Sequence, residues 1–238
     1  MSELLILLIL STLAGASIPV GAGMAMLDIE WPDILTEPWR RFIVAFGGGA
    51  LISAVALVLV PDGSESLSPL LSLLSFAGGG VCFCLLDIYL GKLKSSLGQL
   101  VAMLADFIPE AMVLGAAFAT GQDTGLLISA LIVLQNIPEG FNAFEELTEN
   151  SKQSVLRLLA GFGLLMLAGP VSALLGFYYL PERPEMLGGI MLFASGGIIY
   201  LVFEDVAPQA KLENHWSPAL GAVFGFLLGL AGHLATSG

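Results

Sequence analysis

Charge is scarce in this chain. Only 12% of its 238 residues are Asp, Glu, Lys or Arg, about half the share of a soluble domain. That scarcity excludes a disordered segment and an ordinary water-soluble enzyme. Basic residues are rarer still: 8 against 20 acidic ones, a net charge of −12. Nucleic-acid binders and proteins that cling to anionic lipid surfaces need the opposite balance. Histidine and cysteine number two each, too few for a disulfide framework or a His/Cys zinc cluster. Cys82 and Cys84 stand in an apolar run and read as packing residues.

What the chain has instead is apolar sequence: 56% hydrophobic residues and a mean hydropathy of +0.90. A bilayer-crossing helix needs about 20 such residues. Charge, proline and polar clusters punctuate the sequence into eight apolar stretches, near 3–26, 38–60, 66–91, 97–120, 124–147, 154–180, 185–210 and 216–236. The expected fold is therefore all-α, a polytopic membrane protein with residues 1–238 forming a single integral membrane domain. The first stretch is not read as a cleaved signal, because no Lys or Arg precedes it and it runs on past Pro19.

The few basic residues set the expected orientation. Arg40, Arg41, Lys92, Lys94, Lys152, Arg157 and Lys211 follow odd-numbered spans, and Arg183 alone follows an even one. The positive-inside rule places the seven-charge side in the cytoplasm. Both termini then face outward across the cell (inner) membrane. Trp31, Trp39 and Trp216 read as anchors at the lipid interface. The acids Asp28, Glu30, Asp33 and Glu37 follow the first span and read either as a cation-gathering entrance or as an ordinary charged loop.

Carboxylates inside a span are costly and point to function. Asp106 and Glu110 fall near the middle of the fourth span, and Gln135, Asn136 and Glu139 near the middle of the fifth, so all five share a depth near the midplane. Their spacings, i,i+3 and i,i+4, put them on common helix faces. The short connection between the two spans makes those spans antiparallel neighbours. Ile-Pro-Glu occurs at 108–110 and again at 137–139. Each proline deprives a carbonyl, Ala105 or Leu134, of its helical donor, a feature that recurs at ion sites in transporters. Clustered carboxylates repel one another unless a cation or protons intervene, and an oxygen-rich set suits a divalent ion.

Gln135-Asn136-Ile137-Pro138-Glu139-Gly140, the Pro109-Glu110 pair of span 4, and Ala194 to Asp205 of span 7 resemble the ZIP (Zrt-, Irt-like) family of divalent metal transporters, in its short prokaryotic form. The resemblance covers nearly the whole chain. It implies a transport unit of spans 1, 4, 5 and 6 moving against a scaffold of spans 2, 3, 7 and 8, with metal held between spans 4 and 5. Carried over, Asp106, Glu110, Gln135 and Glu139 are the metal residues, and Asn136 stands where binuclear members help hold a second ion. Two departures matter. Asp106-Phe107 replaces the family's His-Asn, and span 6 supplies no acid beyond its ends. One metal is therefore expected. Zinc preference is open, with manganese and iron(II) favoured by all-oxygen ligation.

Below the midplane set, Asn142 and Glu146 continue the polar stripe of span 5. With Asp87, Glu204, Asp205 and Glu145 they are expected to line an acidic vestibule that draws cations inward. The partners implied are a divalent metal ion and membrane lipid, with no nucleic acid and no resident cofactor, and a homodimer is left open. The competing readings are an intramembrane enzyme, which the absence of a His-Glu-x-x-His motif disfavours, a non-transporting metal binder or sensor, and a ZIP-like carrier of another substrate.

Overall fold

The computed structural model describes residues 2–30, 36–93, 98–121, 125–150 and 154–236. Its long helices are α1 (Glu3–Glu30), α2 (Glu37–Glu65), α3 (Pro69–Leu93), α4 (Gly98–Ala119), α5 (Gly125–Asn150), α6 (Val155–Tyr179), α7 (Pro184–Ala210) and α8 (Ser217–Thr236). There is no strand among the described residues. Seven of these helices, all but α4, are long and apolar enough to cross a bilayer. The protein is an all-α polytopic membrane protein. Its outer faces are oily: Leu70, Leu73, Leu74, Val81 and Leu85 of α3 are all exposed, as a lipid-facing helix requires.

The helices accommodate their prolines in different ways. α4 and α5 stay helical straight through Pro109 and Pro138. The interruption lies in α6, whose segments Val155–Leu165 and Ala168–Tyr179 are joined by a tightened turn, with Leu167 N–H donating to Leu164 O at 3.1 Å. Pro170 follows it and has no N–H for the carbonyl of Met166. Elsewhere a π turn takes up the misfit. Val55–Leu59 in α2 and Val202–Val206 in α7 are π-helical, closed by Val60 N–H to Val55 O and Ala207 N–H to Val202 O. Pro61 and Pro208 follow them. This is why α2 continues to Glu65 where the sequence suggested a stop near residue 60.

The two π turns stand at equal distances from the start of their helices, and they mark an internal repeat. α1 packs chiefly on α5, α4 on α6, α2 on α8 and α3 on α7. Exchanging α1–α3 with α6–α8, and α4 with α5, maps this set of pairs onto itself. Each strong pair is sealed by glycine, which lets backbones approach closely. A Cβ on Gly21 would strike the carbonyl of Ile137, and one on Gly140 that of Ile18, fastening α1 to α5; Gly49 and Gly225 stand in the same reciprocal relation between α2 and α8. In α2, Gly47 also faces the ring of Pro138 and Gly48 the side chain of Val206, so one glycine triplet meets α5, α7 and α8.

Glu37 stands in the first turn of α2 and pairs with Arg41 at 2.6 Å, at the same end of the bundle as Arg40. Asp33 and Trp31 lie outside the described residues, as do the side chains of Asp28 and Glu30. Trp39 and Trp216 are exposed at the basic end, where interfacial anchors belong.

Candidate metal centre

Glu110, which ends the first Ile-Pro-Glu segment, meets Gln135, two residues before the second, where α4 and α5 pack together. Glu110 is 4% exposed, and Gln135 and Asn136 are fully buried. The Nε2 amide of Gln135 donates to Oε2 of Glu110 across the helix pair. Turned over, that amide would set its oxygen against the carboxylate, so the charge on Glu110 fixes its orientation. The remaining oxygen, Oε1 of Gln135, has no hydrogen-bond donor among the described residues, and neither does Oδ1 of the adjacent Asn136. A buried acceptor left unpaired costs about 1–3 kcal/mol. The unpaired Gln135 oxygen shares its amide with the bond to the buried Glu110 carboxylate, which makes this an oxygen-rich spot.

Asn136 points elsewhere with its donor: Nδ2 gives a hydrogen bond of 3.1 Å to the carbonyl of Ala14 on α1. The packing of Gly21 and Gly140 brings α1 near enough for this contact. The glycine that ends the Gln-Asn-Ile-Pro-Glu-Gly segment is thus a spacing element for the site. Glu139 is half-buried one turn below Gln135. The backbone of Asp106 lies in α4, one turn before Glu110, and its side chain lies outside the described residues. Among the described residues no three His, Cys, Asp or Glu side chains gather closely enough to hold a metal; of the predicted set the structure describes the side chains of Glu110, Gln135, Asn136 and Glu139.

Phe107 is fully buried, and a Cβ on Gly169 of α6 would touch its ring. The aromatic that replaces an asparagine in the family pattern is core packing, and it fills the space between α4 and α6. An apolar cavity lies on the other side of the Glu110–Gln135 pair, lined by Ala54, Val58 and Leu59 from the π turn region of α2 and by Ile128, Leu131 and Ile132 of α5. The regular backbone of α2 would aim these side chains differently, so the π turn shapes this wall.

Toward the basic end the structure opens into a cleft between α1, α2 and α5, lined among others by Met24, Pro138, Asn142, Glu145, Arg40 and Arg41. It begins at the residue next to Glu139. Of the inner residues named from sequence, Asn142 and Glu145 reach this cleft. Glu146 and Glu204 are exposed elsewhere. Asp87 is exposed on α3 and accepts a hydrogen bond of 3.0 Å from Tyr200 of α7. Asp205 accepts from the side-chain amide of Gln209 one turn on. The vestibule is therefore not uniformly acidic. Arg40 pairs with Glu145 at 3.0 Å, and sequence reading, which used Arg40 and Arg41 only for topology, had not brought them to the route. Their signal was positional: both stand within one turn of the start of a span.

No protein-family model matches the chain. Individual relatives do. It is 25% identical to the zinc transporter ZupT of Chlorobium luteolum, over 97% of this chain and 96% of that protein. It is 29% identical to the zinc transporter SLC39A7 of Mus musculus over 56% of this chain, and 30% identical to the same transporter of Rattus norvegicus. Its homologues are zinc transporters of the ZIP (SLC39) family. The matched stretch spans only 29% of the length of the mouse protein, whereas the bacterial ZIP relative is matched nearly end to end. The Glu110–Gln135 pair, the glycine-sealed α1–α5 seam and the all-helical bundle are the features this chain sets against the ZIP pattern.

Proposed function

We propose that this chain is a divalent-cation transporter of the cell (inner) membrane, carrying metal toward the cytoplasm by alternating access. The observation that carries the proposal is the buried Glu110–Gln135 pair, whose amide oxygen has no donor among the described residues, at the crossing of α4 and α5. Glu110 and Glu139 are the central ligands, Gln135 Oε1 adds a neutral oxygen, and Asp106 completes the shell. The ion bound there satisfies the oxygens that protein donors leave unmatched.

The packing supports a division into two moving parts. Of the four principal helix pairs, two lie within α1, α4, α5 and α6 and two within α2, α3, α7 and α8, so each group is tied chiefly to itself. α4 is the eighth crossing, both termini face outward, and residues 1–238 act as one membrane domain. A burial site for Phe107 where a second asparagine ligand would stand favours a single ion. The chain performs transport and no catalysis. Zinc is the metal named for the relatives, and an all-oxygen shell also accommodates manganese and iron(II).

Uptake into proteoliposomes tests this. Zinc, manganese and iron(II) are offered singly and in competition, with wild type beside Glu139→Ala. Saturable uptake that Glu139→Ala abolishes is the expected result. Equal transport by the variant would overturn the site, and binding without flux would make the protein a metal binder or sensor.

A further inference from the structure

Two arginines line the cleft below Glu139, and they are held differently. Arg41 is tied within its own neighbourhood: it pairs with Glu37 on α2, and its Nη1 donates to the carbonyl of Gln209 at the end of α7. Arg40 reaches across to α5, where Nη1 meets Oε1 of Glu145 at 3.0 Å and the guanidinium lies 5.6 Å from the ring centroid of Phe141. α2 and α5 belong to the two different helix groups, so the Arg40–Glu145 pair bridges them at the mouth of the cleft. Glu145 is six residues beyond Glu139 on one helix, about 9 Å along its axis. An ion leaving the midplane through this cleft passes Asn142 and then meets a carboxylate already occupied by a guanidinium.

We propose that Arg40 is the release element of the cleft: it and the departing divalent ion compete for Glu145. While Arg40 holds Glu145, the one carboxylate among the described lining residues of the cleft is engaged, and the positive charge of Arg40 opposes re-entry. When an ion reaches Glu145, Arg40 is displaced and the bridge between α2 and α5 opens. This rests on the transport reading above and adds a residue that the midplane set does not contain.

The two partners therefore have opposite effects on metal affinity, which a merely structural ion pair would not produce. Arg40→Gln frees Glu145 and is expected to tighten zinc and manganese binding by purified protein about tenfold, while slowing turnover in vesicles. Glu145→Gln removes the carboxylate at which the departing ion would pause and is expected to weaken binding by a similar factor. Arg40→Lys keeps the charge and restores near-wild-type binding, and the double variant Arg40→Gln/Glu145→Gln falls between the single ones. Binding is read in detergent by titration calorimetry, with gel filtration to show that each variant is folded. Shifts of the same sign, or both under about twofold, overturn the release role even if wild type transports normally. Wild type that binds metal but moves none overturns the transport reading instead, and the binding signs still decide the role of Arg40. Wild type that binds neither metal overturns both.

Discussion

The midplane pair and the cleft-mouth pair use the same kind of chemistry in different surroundings. Glu110 is buried and accepts from the neutral amide of Gln135, whose own oxygen has no donor among the described residues. Arg40 with Glu145 is a complete ion pair at roughly 30% exposure on each side. A buried carboxylate gains from every donor or cation it meets, because water cannot substitute. A half-exposed pair is partly screened and exchanges readily with solvent ions. The first arrangement suits a binding position, and the second suits a contact that must form and break.

That contrast can be broken by experiment. The largest effect is expected at the midplane: Glu110→Ala removes a ligand and strands the Gln135 amide, and metal uptake in proteoliposomes should fall at least about 100-fold, equivalent to some 3 kcal/mol of barrier. Near-normal uptake would remove the distinction altogether. Next comes Phe107→Ala, which empties a fully buried site between α4 and α6 and should cost about 3–5 kcal/mol, read as a lower melting temperature in detergent. Gly140→Val drives a side chain into the carbonyl of Ile18 and should cost about 1–3 kcal/mol or more. Gly23→Ala on the same α1–α5 unit meets nothing within 4 Å and serves as its neutral control. The smallest effect belongs to the fully solvated Lys211–Glu213 pair, whose nitrogen and oxygen are 3.9 Å apart; Lys211→Gln should change stability by under about 0.5 kcal/mol. Salt sharpens the comparison further. Raising ionic strength toward 1 M should reduce the effects of variants at Arg40 and leave those at Glu110 nearly unchanged, since the Debye length is then about 3 Å and only the mouth is open to ions.

Much of this was legible from residue spacing. Residue spacing put Glu110 and Gln135 on neighbouring helices, and the structure joins their side chains. The apolar stretches located the helices to within a few residues. Less legible was the interior geometry of those helices. The helices pass unbroken through Pro109 and Pro138, as the spans read from sequence did, while Pro61 and Pro208 follow π turns. A local sequence reports a missing N–H, and only the packing around it determines whether the chain kinks, bulges or carries on. The vestibule was misjudged for a related reason: charge counts along α5 and α7 do not reveal that Asp87 turns to Tyr200, or that Arg40 crosses to Glu145.

The sequence by itself determined the solvent this protein is built for, because apolar length and scarce charge leave a bilayer as the only medium that matches them. Its spacing also placed Gln135 and Glu139 one turn apart on one helix, which follows from helical periodicity alone. The tertiary structure decided which oxygens are left without donors, which glycines carry a close approach, and where the arginines stand relative to the carboxylates. Those outcomes depend on distances between residues far apart in the chain, and such distances are set by how eight helices settle against one another.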